Sequence, residues 1–411
     1  MGGSTADRRP VKVGMIYTFN DDAAAAAGVD NGNTFTSKAA FDAMVKAYNA
    51  RGGVAGRRIV PVSVELSSNS TSLESDLQAA CDKFTQDEHV AVVFSAIGLF
   101  SEVFSQCLAK AGTPQITGDY SLGDTRALAA VPTLLAVTTL SVDDRATAVL
   151  KHMTSVRRLT RADKLGVVVE GCAYNVRAYN QTLEPLAKRL GVPVAERVES
   201  RCFEDIGDLG GLGGDMQNAV LRFQTRGITH VTFVSGSVEG NAMFLFATAA
   251  ETQGYHPTYL LTSAAIAAVQ ETNTPKAQLA NAYGVGWIPS IDTSHSPLSG
   301  AAGKRCLHDL SAASGINPQS AADRYYAAST CDVFALYDAA LRLDRGASDA
   351  RAVMGAVASL GTGFAAAASF GESTDFRNGR RTGASQARMF AWSAGCSCFN
   401  YAGQPFSLVA G

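Results

Sequence analysis

The chain has 411 residues, of which 46% are hydrophobic and 18% charged, and a formal net charge of −2. That length exceeds one ordinary core and points to two domains. The composition excludes a disordered chain, and the charge balance leaves no electrostatic footprint for nucleic acid or an anionic membrane.

No apolar run approaches the roughly 20 residues needed to span a bilayer. Residues 1–10 are small, polar and charged without an apolar h-region, so they read as a flexible linker with no signal segment. The eight cysteines, even in number and without a CxxC pair, favour an oxidising compartment reached through a signal segment absent from this sequence. Eight cysteines leave about 105 pairings open. Pairing neighbours in order is the simplest arrangement: Cys81 with Cys107, Cys172 with Cys202, and Cys306 with Cys331. Buried free thiols in a cytosolic protein are the alternative. Scattered histidines and widely spaced cysteines offer no metal framework, and no cofactor is expected.

Val11 to Tyr17 reads as a buried strand. After a polar loop comes a helix with Phe41, Met44, Val45 and Tyr48 on one stripe. Gly52 and Gly53 stop it, Gly56 makes a second turn, and Ile59 to Leu66 alternates as a strand. Pro61 lacks a ladder donor and assigns that strand to a sheet edge. Thr71 and Glu74 predict a capping box for the next helix. The strand Val90 to Phe94, a helix over Ser101 to Ala111 and a short strand at Pro114 to Thr117 complete a doubly wound sheet.

The alternation then restarts with a helix near Asp143 to Met153 and strands at Leu165 to Val169, Val192 to Glu199, Val231 to Ser235 and Tyr259 to Thr262. That predicts a second doubly wound α/β domain, with a cleft between the two. The Gly207 to Asp215 stretch reads as a surface loop, because its aspartates would repel a phosphate. Helices over Ala301 to Ala313, Ala321 to Leu343 and Asp349 to Ser359 return to the first domain, and strand-like pieces such as Arg388 to Ser393 cross back.

No nucleophile elbow, H-E-x-x-H or Walker A pattern occurs, so nothing demands an enzyme. In open α/β sheets ligands meet the strand C-termini. Loops there collect Phe19, Asn20, Gly98, Leu99, Phe100, Asp119, Tyr120, Ser121, Tyr174, Ser237, Glu239 and Ser263. Each has a plainer reading too: Tyr174 as loop packing, Asp119 as a solvated turn residue, Ser121 as an N-cap.

The run Asn49-Ala50-Arg51-Gly52-Gly53-Val54-Ala55-Gly56-Arg57, following its amphipathic helix, resembles the N-x-x-G-G-I-x-G-R turn of type I periplasmic solute-binding proteins of the branched-chain amino-acid class. Support comes from the strand Ala91 to Phe94, from Ala111 to Ile116, and from Leu165 to Tyr174. The resemblance implies two lobes joined by three crossovers, with lobes of 11–137 plus 287–362 and of 138–286 plus 363–411. It implies a monomer outside the cytoplasm, a periplasmic or lipid-anchored one, that closes over a small molecule and delivers it to a membrane ABC permease. A sensing module of the same fold is the alternative.

By the same resemblance, ligand contacts fall at Gly98, Leu99 and Phe100, at Tyr120 and Ser121, at Tyr174, and at Ser237 to Glu239. The family's ammonium-pairing acid is replaced by Ser263. A buried ammonium without an acid loses several kcal/mol, so the expected ligand is an aromatic or apolar solute with a polar group, unless Glu239 or Asp119 substitutes.

Overall fold

A computed structural model of the chain describes residues 9–18, 32–67, 70, 72–204, 208–236, 239–344, 346 and 348–409. Two sheets organise it. The first joins β1 (Val11–Thr18), β2 (Ile59–Leu66), β3 (Val92–Ala96), β4 (Gln115–Thr117) and β5 (Leu134–Ala136) in the order β2-β1-β3-β4-β5, all parallel. The second contains β6 (Leu165–Glu170), β7 (Val194–Ser200), β8 (His230–Val234), β9 (Thr258–Thr262), β10 (Ala282–Gly286), β11 (Gln386–Ser393) and β12 (Cys398–Ser407). Its order is β12-β11-β10-β9-β8-β6-β7, parallel as far as β10 and antiparallel through β11 and β12.

The first sheet shows why the glycine turn is needed. Thr36 caps the helix Ser37–Ala50, whose Phe41 and Tyr48 pack on Phe334 with ring centroids 5.3 and 5.4 Å apart. Gly52 and Gly53 take φ of 99° and 84°. A Cβ on Gly53 would lie 1.9 Å from the Arg57 carbonyl oxygen, so the tight turn requires glycine there. Asn49 then clasps Ile59 at both backbone groups, accepting from its N–H at 2.7 Å and donating to its carbonyl at 2.9 Å. β2, with Pro61, is the edge strand expected.

Two local expectations change. Thr71 lies outside the described residues, and Ser72 caps the helix Leu73–Asp82 by accepting from the Ser75 amide. The glycine-rich stretch is not a loop: it forms the first turns of a helix, Asp208–Arg226. Tertiary contact overrides its poor propensity. Arg201 binds Asp215 at 2.9 Å and lies across Gly211, where a Cβ would come within 1.9 Å of the guanidinium carbon.

The chain passes between the sheets after β5, after β10 and before β11. The helices Ala301–Ser314, Ala321–Leu343 and Ala350–Leu360 pack with the first sheet's core. So do Phe364 and Phe376, and Thr382 pairs with Ala136 of β5. Asp332 in the long helix accepts from the Ala367 and Ala368 amides at 2.6 and 2.9 Å, which fastens this return segment.

Disulfides join Cys81 to Cys107, Cys172 to Cys202 and Cys306 to Cys331, and a further bond joins Cys396 to Cys398. Among the described residues, no helix is long and apolar enough to cross a membrane.

Candidate ligand site between the sheets

The loops after β3 and β4 are locked to each other first. Asp119, almost fully buried, accepts from the Ile97 and Gly98 amides at 2.8 and 3.1 Å. Burial pushes its carboxyl up to about 6, against the pull of those two N–H groups. It is therefore a loop organiser, not a solvated turn residue. Ser121 is no N-cap either: its hydroxyl donates to the Gly98 carbonyl at 2.7 Å. Gly98 takes φ of 69° at this corner, and Leu99 packs against the cluster around Phe84 and Phe104.

Across the cleft, the helix after β6 presents Tyr174. Its ring meets Phe100 edge to face, with centroids 5.4 Å apart. Leu122 donates to the Gly236 carbonyl at 3.1 Å, joining the loop after β4 to the loop after β8. Two glycines permit this approach. A Cβ on Gly123 would lie 2.4 Å from Phe100, and one on Gly236 would lie 2.6 Å from Tyr174. Arg177 closes the rim with a forked pair to Asp124, at 2.9 and 2.8 Å, and a looser contact to Glu102 at 3.7 Å. These contacts bring the two sides together, and on the first-sheet side a cavity of about 20 Å³, room for one water, lies beside Asp119, Tyr325 and Tyr326.

Arg145, not singled out from the sequence, is the main addition. It lies in the first turns of the helix Val142–Ser155, on the stripe formed by Val142, Ala146 and Val149, and is 2% exposed. A lone arginine in an apolar stripe was the available signal. Its guanidinium donates to the carbonyls of Leu140 (3.0 Å), Ser235 (3.3 Å) and Tyr120, and to the Thr139 hydroxyl (3.4 Å). One side chain thus ties the loop after β4, the first crossing and the loop after β8 together. All these acceptors are neutral, so among the described residues a positive charge is buried with hydrogen bonds but no bonded carboxylate.

Residues 10–397 match the periplasmic binding protein family. This chain belongs to that family. Its fold is the two-lobed type I form, and the branched-chain resemblance agrees with the solved structures it is similar to. A solute-binding protein of an ABC transporter from Rhodopseudomonas palustris BisB5, in complex with 3,4-dihydroxybenzoic acid, is 12% identical with a TM-score of 0.69, covering 98% of this chain and 99% of that one. An ABC transporter substrate-binding protein from Desulfitobacterium hafniense in complex with Leu is 13% identical, TM-score 0.63, covering 96% and 100%. A fatty acid ABC transporter substrate-binding protein from Thermomonospora curvata is 15% identical, TM-score 0.65, covering 99% and 94%. No curated protein matches the chain.

The remaining expected residues of this binding protein fall in different settings. Glu239 is buried at the head of the helix Glu239–Thr252, where it accepts from the Thr262 amide at 3.1 Å and hydroxyl at 2.8 Å. Burial pushes its carboxyl up to about 7, opposed chiefly by the charge of Arg145. Tyr120 stacks obliquely on Tyr325, centroids 5.7 Å apart. Ser263 is fully buried, and its hydroxyl accepts from the Trp287 and Ile288 amides at 2.8 and 3.3 Å, securing the turn after β10. Phe19, Asn20 and Ser237 lie outside the described residues. Glu170 sits near Cys172 and Cys202, but those sulfurs are bonded to each other, so the group supplies no thiolate to a metal. Glu170 instead accepts from Asn175 at 2.8 Å and Ser235 at 2.7 Å, bracing the loop under Tyr174.

Proposed function

We propose that this chain is the extracytoplasmic solute-binding component of an ABC importer, and that it binds a small carboxylic acid with an aromatic or apolar body. It acts by binding and release, without catalysis, as a monomer that presents its closed form to a membrane permease. The lobes comprise 11–137 with 287–382, and 138–286 with 386–409. We assign the third crossing later than residue 362, a reading supported by Phe364, Ala366 and Phe376 in the first sheet's core and by Thr382 pairing with Ala136.

The buried guanidinium of Arg145, which donates to the Tyr120 carbonyl and feels the charge of Glu239 and the neighbouring tyrosines Tyr174 and Tyr325, carries this reading. A carboxylate entering that space gains a charge-assisted hydrogen bond in a dry, low-dielectric setting, where such bonds are strongest. The tyrosine rings and Phe100 supply faces for an apolar body. A ligand touching both lobes favours the closed form by its differential affinity for it. Structural relatives holding an aromatic acid support the class, and a relative holding Leu keeps amino acids as the comparison to beat.

The deciding experiment is a thermal-shift series with 4-hydroxybenzoate, 3,4-dihydroxybenzoate, phenol and leucine. A ligand at a hundred times its Kd stabilises the fold by about 2.7 kcal/mol. We expect saturable stabilisation by the benzoates and none by phenol. Stabilisation by leucine alone would sink the reading.

A further inference from the structure

Three of the four disulfides fasten distant elements, with partners 26, 30 and 25 residues apart. Cys81, Cys172, Cys306 and Cys331 are all buried. The fourth is built differently. Cys396 and Cys398 are 2 residues apart, at the tip of the hairpin between β11 and β12. Closing so short a loop removes little entropy from the unfolded chain.

The hairpin does not depend on this bond. Ser393 pairs with Cys398 and Trp392 with Phe399, and the Trp392 and Phe399 rings sit 5.3 Å apart. Just past the tip, the Phe399 amide donates to Glu271 at 2.8 Å and the Tyr401 hydroxyl to Asp292 at 2.7 Å. Stability is therefore a poor account of why two cysteines stand here.

Their surroundings suit exchange chemistry. Cys396 is exposed and Cys398 is 2% exposed, so an incoming thiolate reaches only one sulfur. The Asn400 side-chain amide lies 3.1 Å from the Cys396 sulfur and 3.3 Å from that of Cys398. A donor aimed at both sulfurs stabilises whichever becomes a thiolate, and a better-stabilised thiolate leaves faster. Between them, Ser397 holds φ of 52°, a region unfavourable for a residue with a Cβ.

We propose that Cys396–Cys398 is a thiol–disulfide exchange site, reducible by small thiols of the cysteine or glutathione class while the other three bonds persist. The thiolate attacks the Cys396 sulfur, the Cys396–Cys398 bond breaks, and Cys398 departs as a thiolate beside Asn400. A second thiol attacks the sulfur of the first in the mixed disulfide. The products are one small-molecule disulfide and two protein thiols, a two-electron reduction with two protons ending on the cysteines.

The test incubates the folded protein with graded glutathione, traps free thiols with iodoacetamide and maps them by mass spectrometry. Cys396 and Cys398 should be alkylated at concentrations that leave the other six cysteines paired, with the melting temperature nearly unchanged. Single variants resolve the direction. Each carries a free thiol and is therefore given oxidised glutathione. The Cys396 thiolate of Cys398→Ser should attack it readily, taking one half as an adduct and releasing the other as glutathione, while Cys396→Ser should leave Cys398 resistant. Asn400→Leu should slow reduction several-fold. Reduction of all four bonds together, or adducts forming equally on either single variant, would overturn the proposal.

Discussion

The ring of Phe100 stands at 88° to that of Tyr174, an edge-to-face contact between residues from opposite sides of the cleft. Such pairs contribute roughly 0.5–1.5 kcal/mol beyond the area they bury. Tyr174→Ala should therefore weaken binding of a benzoate ligand about ten-fold or more, measured by calorimetry, with the ligand-free fold retained. An unchanged affinity would remove Tyr174 from the site.

Glu239 and Arg145 share one buried space, and their opposite charges respond oppositely to a ligand. If the solute is an anion, Glu239→Gln removes a competing negative charge and should tighten binding several-fold. If the solute carries an ammonium, the same change should weaken it. Arg145→Met should abolish binding of an anion, and Arg145→Lys should restore part of it. These variants need their melting temperatures recorded, because removing one partner of a buried charged network typically destabilises by about 3–5 kcal/mol.

The forked pair between Arg177 and Asp124 exists only when the lobes meet. Asp124 is buried, yet it also caps the helix Thr125–Ala130, so Arg177 is the cleaner target. Arg177→Ala should raise the ligand off-rate several-fold and increase the open fraction seen as a larger radius of gyration in X-ray scattering. If scattering from the variant matches the parent with and without ligand, the pair is not a latch.

Stability should fall as pH rises from 5 to 8. Asp119 is pushed up to about 6, and Glu239, Asp292 and Asp332 to about 7, each chiefly by burial. In the unfolded chain such groups release their protons near pH 4. The folded protein holds them longer, so the contribution is complete below about pH 4 and is lost as pH climbs through 6 to 7. Acids held low, such as Asp375 beside Arg377, act below that window. His152 and His230, whose charged forms burial disfavours, oppose the trend below about pH 6.5 without reversing the fall above it. Melting curves across pH 5 to 8 check the sign, and Glu239→Gln should flatten the slope.

Removing the Cys306–Cys331 bond, which joins the helices Ala301–Ser314 and Ala321–Leu343, should cost about 2–5 kcal/mol. The paired alanine variant should melt several degrees lower. An unchanged melting point would mean that the helices are held by packing alone.

Periodicity made most of the fold legible, because each strand-helix unit is local. Ala321 to Leu343 has the bounds its apolar stripe predicts, and Pro61 placed β2 at its edge. The helix through Gly210, Gly211, Gly213 and Gly214 was not legible, since Arg201 supplies its support from outside the segment. The site divides the same way. Phe100, Tyr174 and Glu239 follow from strand ends, whereas the acceptors of Arg145 come from loops as far apart in the chain as Tyr120 and Ser235. The burial of Asp119 likewise depends on Ile97 and Gly98 folding over it.

The clasp of Asn49 on Ile59 has a consequence for the protein's behaviour in crowded surroundings. In β2 the groups of Ile59, Pro61, Ser63 and Glu65 face away from β1, as the Val11 amide's bond to the Arg58 carbonyl sets the alternation. Asn49 occupies both groups of Ile59, and Pro61 has no N–H to offer. At Ile59 and Pro61 the edge therefore presents no free donor to a strand from another molecule. A turn that marks the family also blunts the route by which an open parallel sheet would recruit its neighbours into fibrous aggregates.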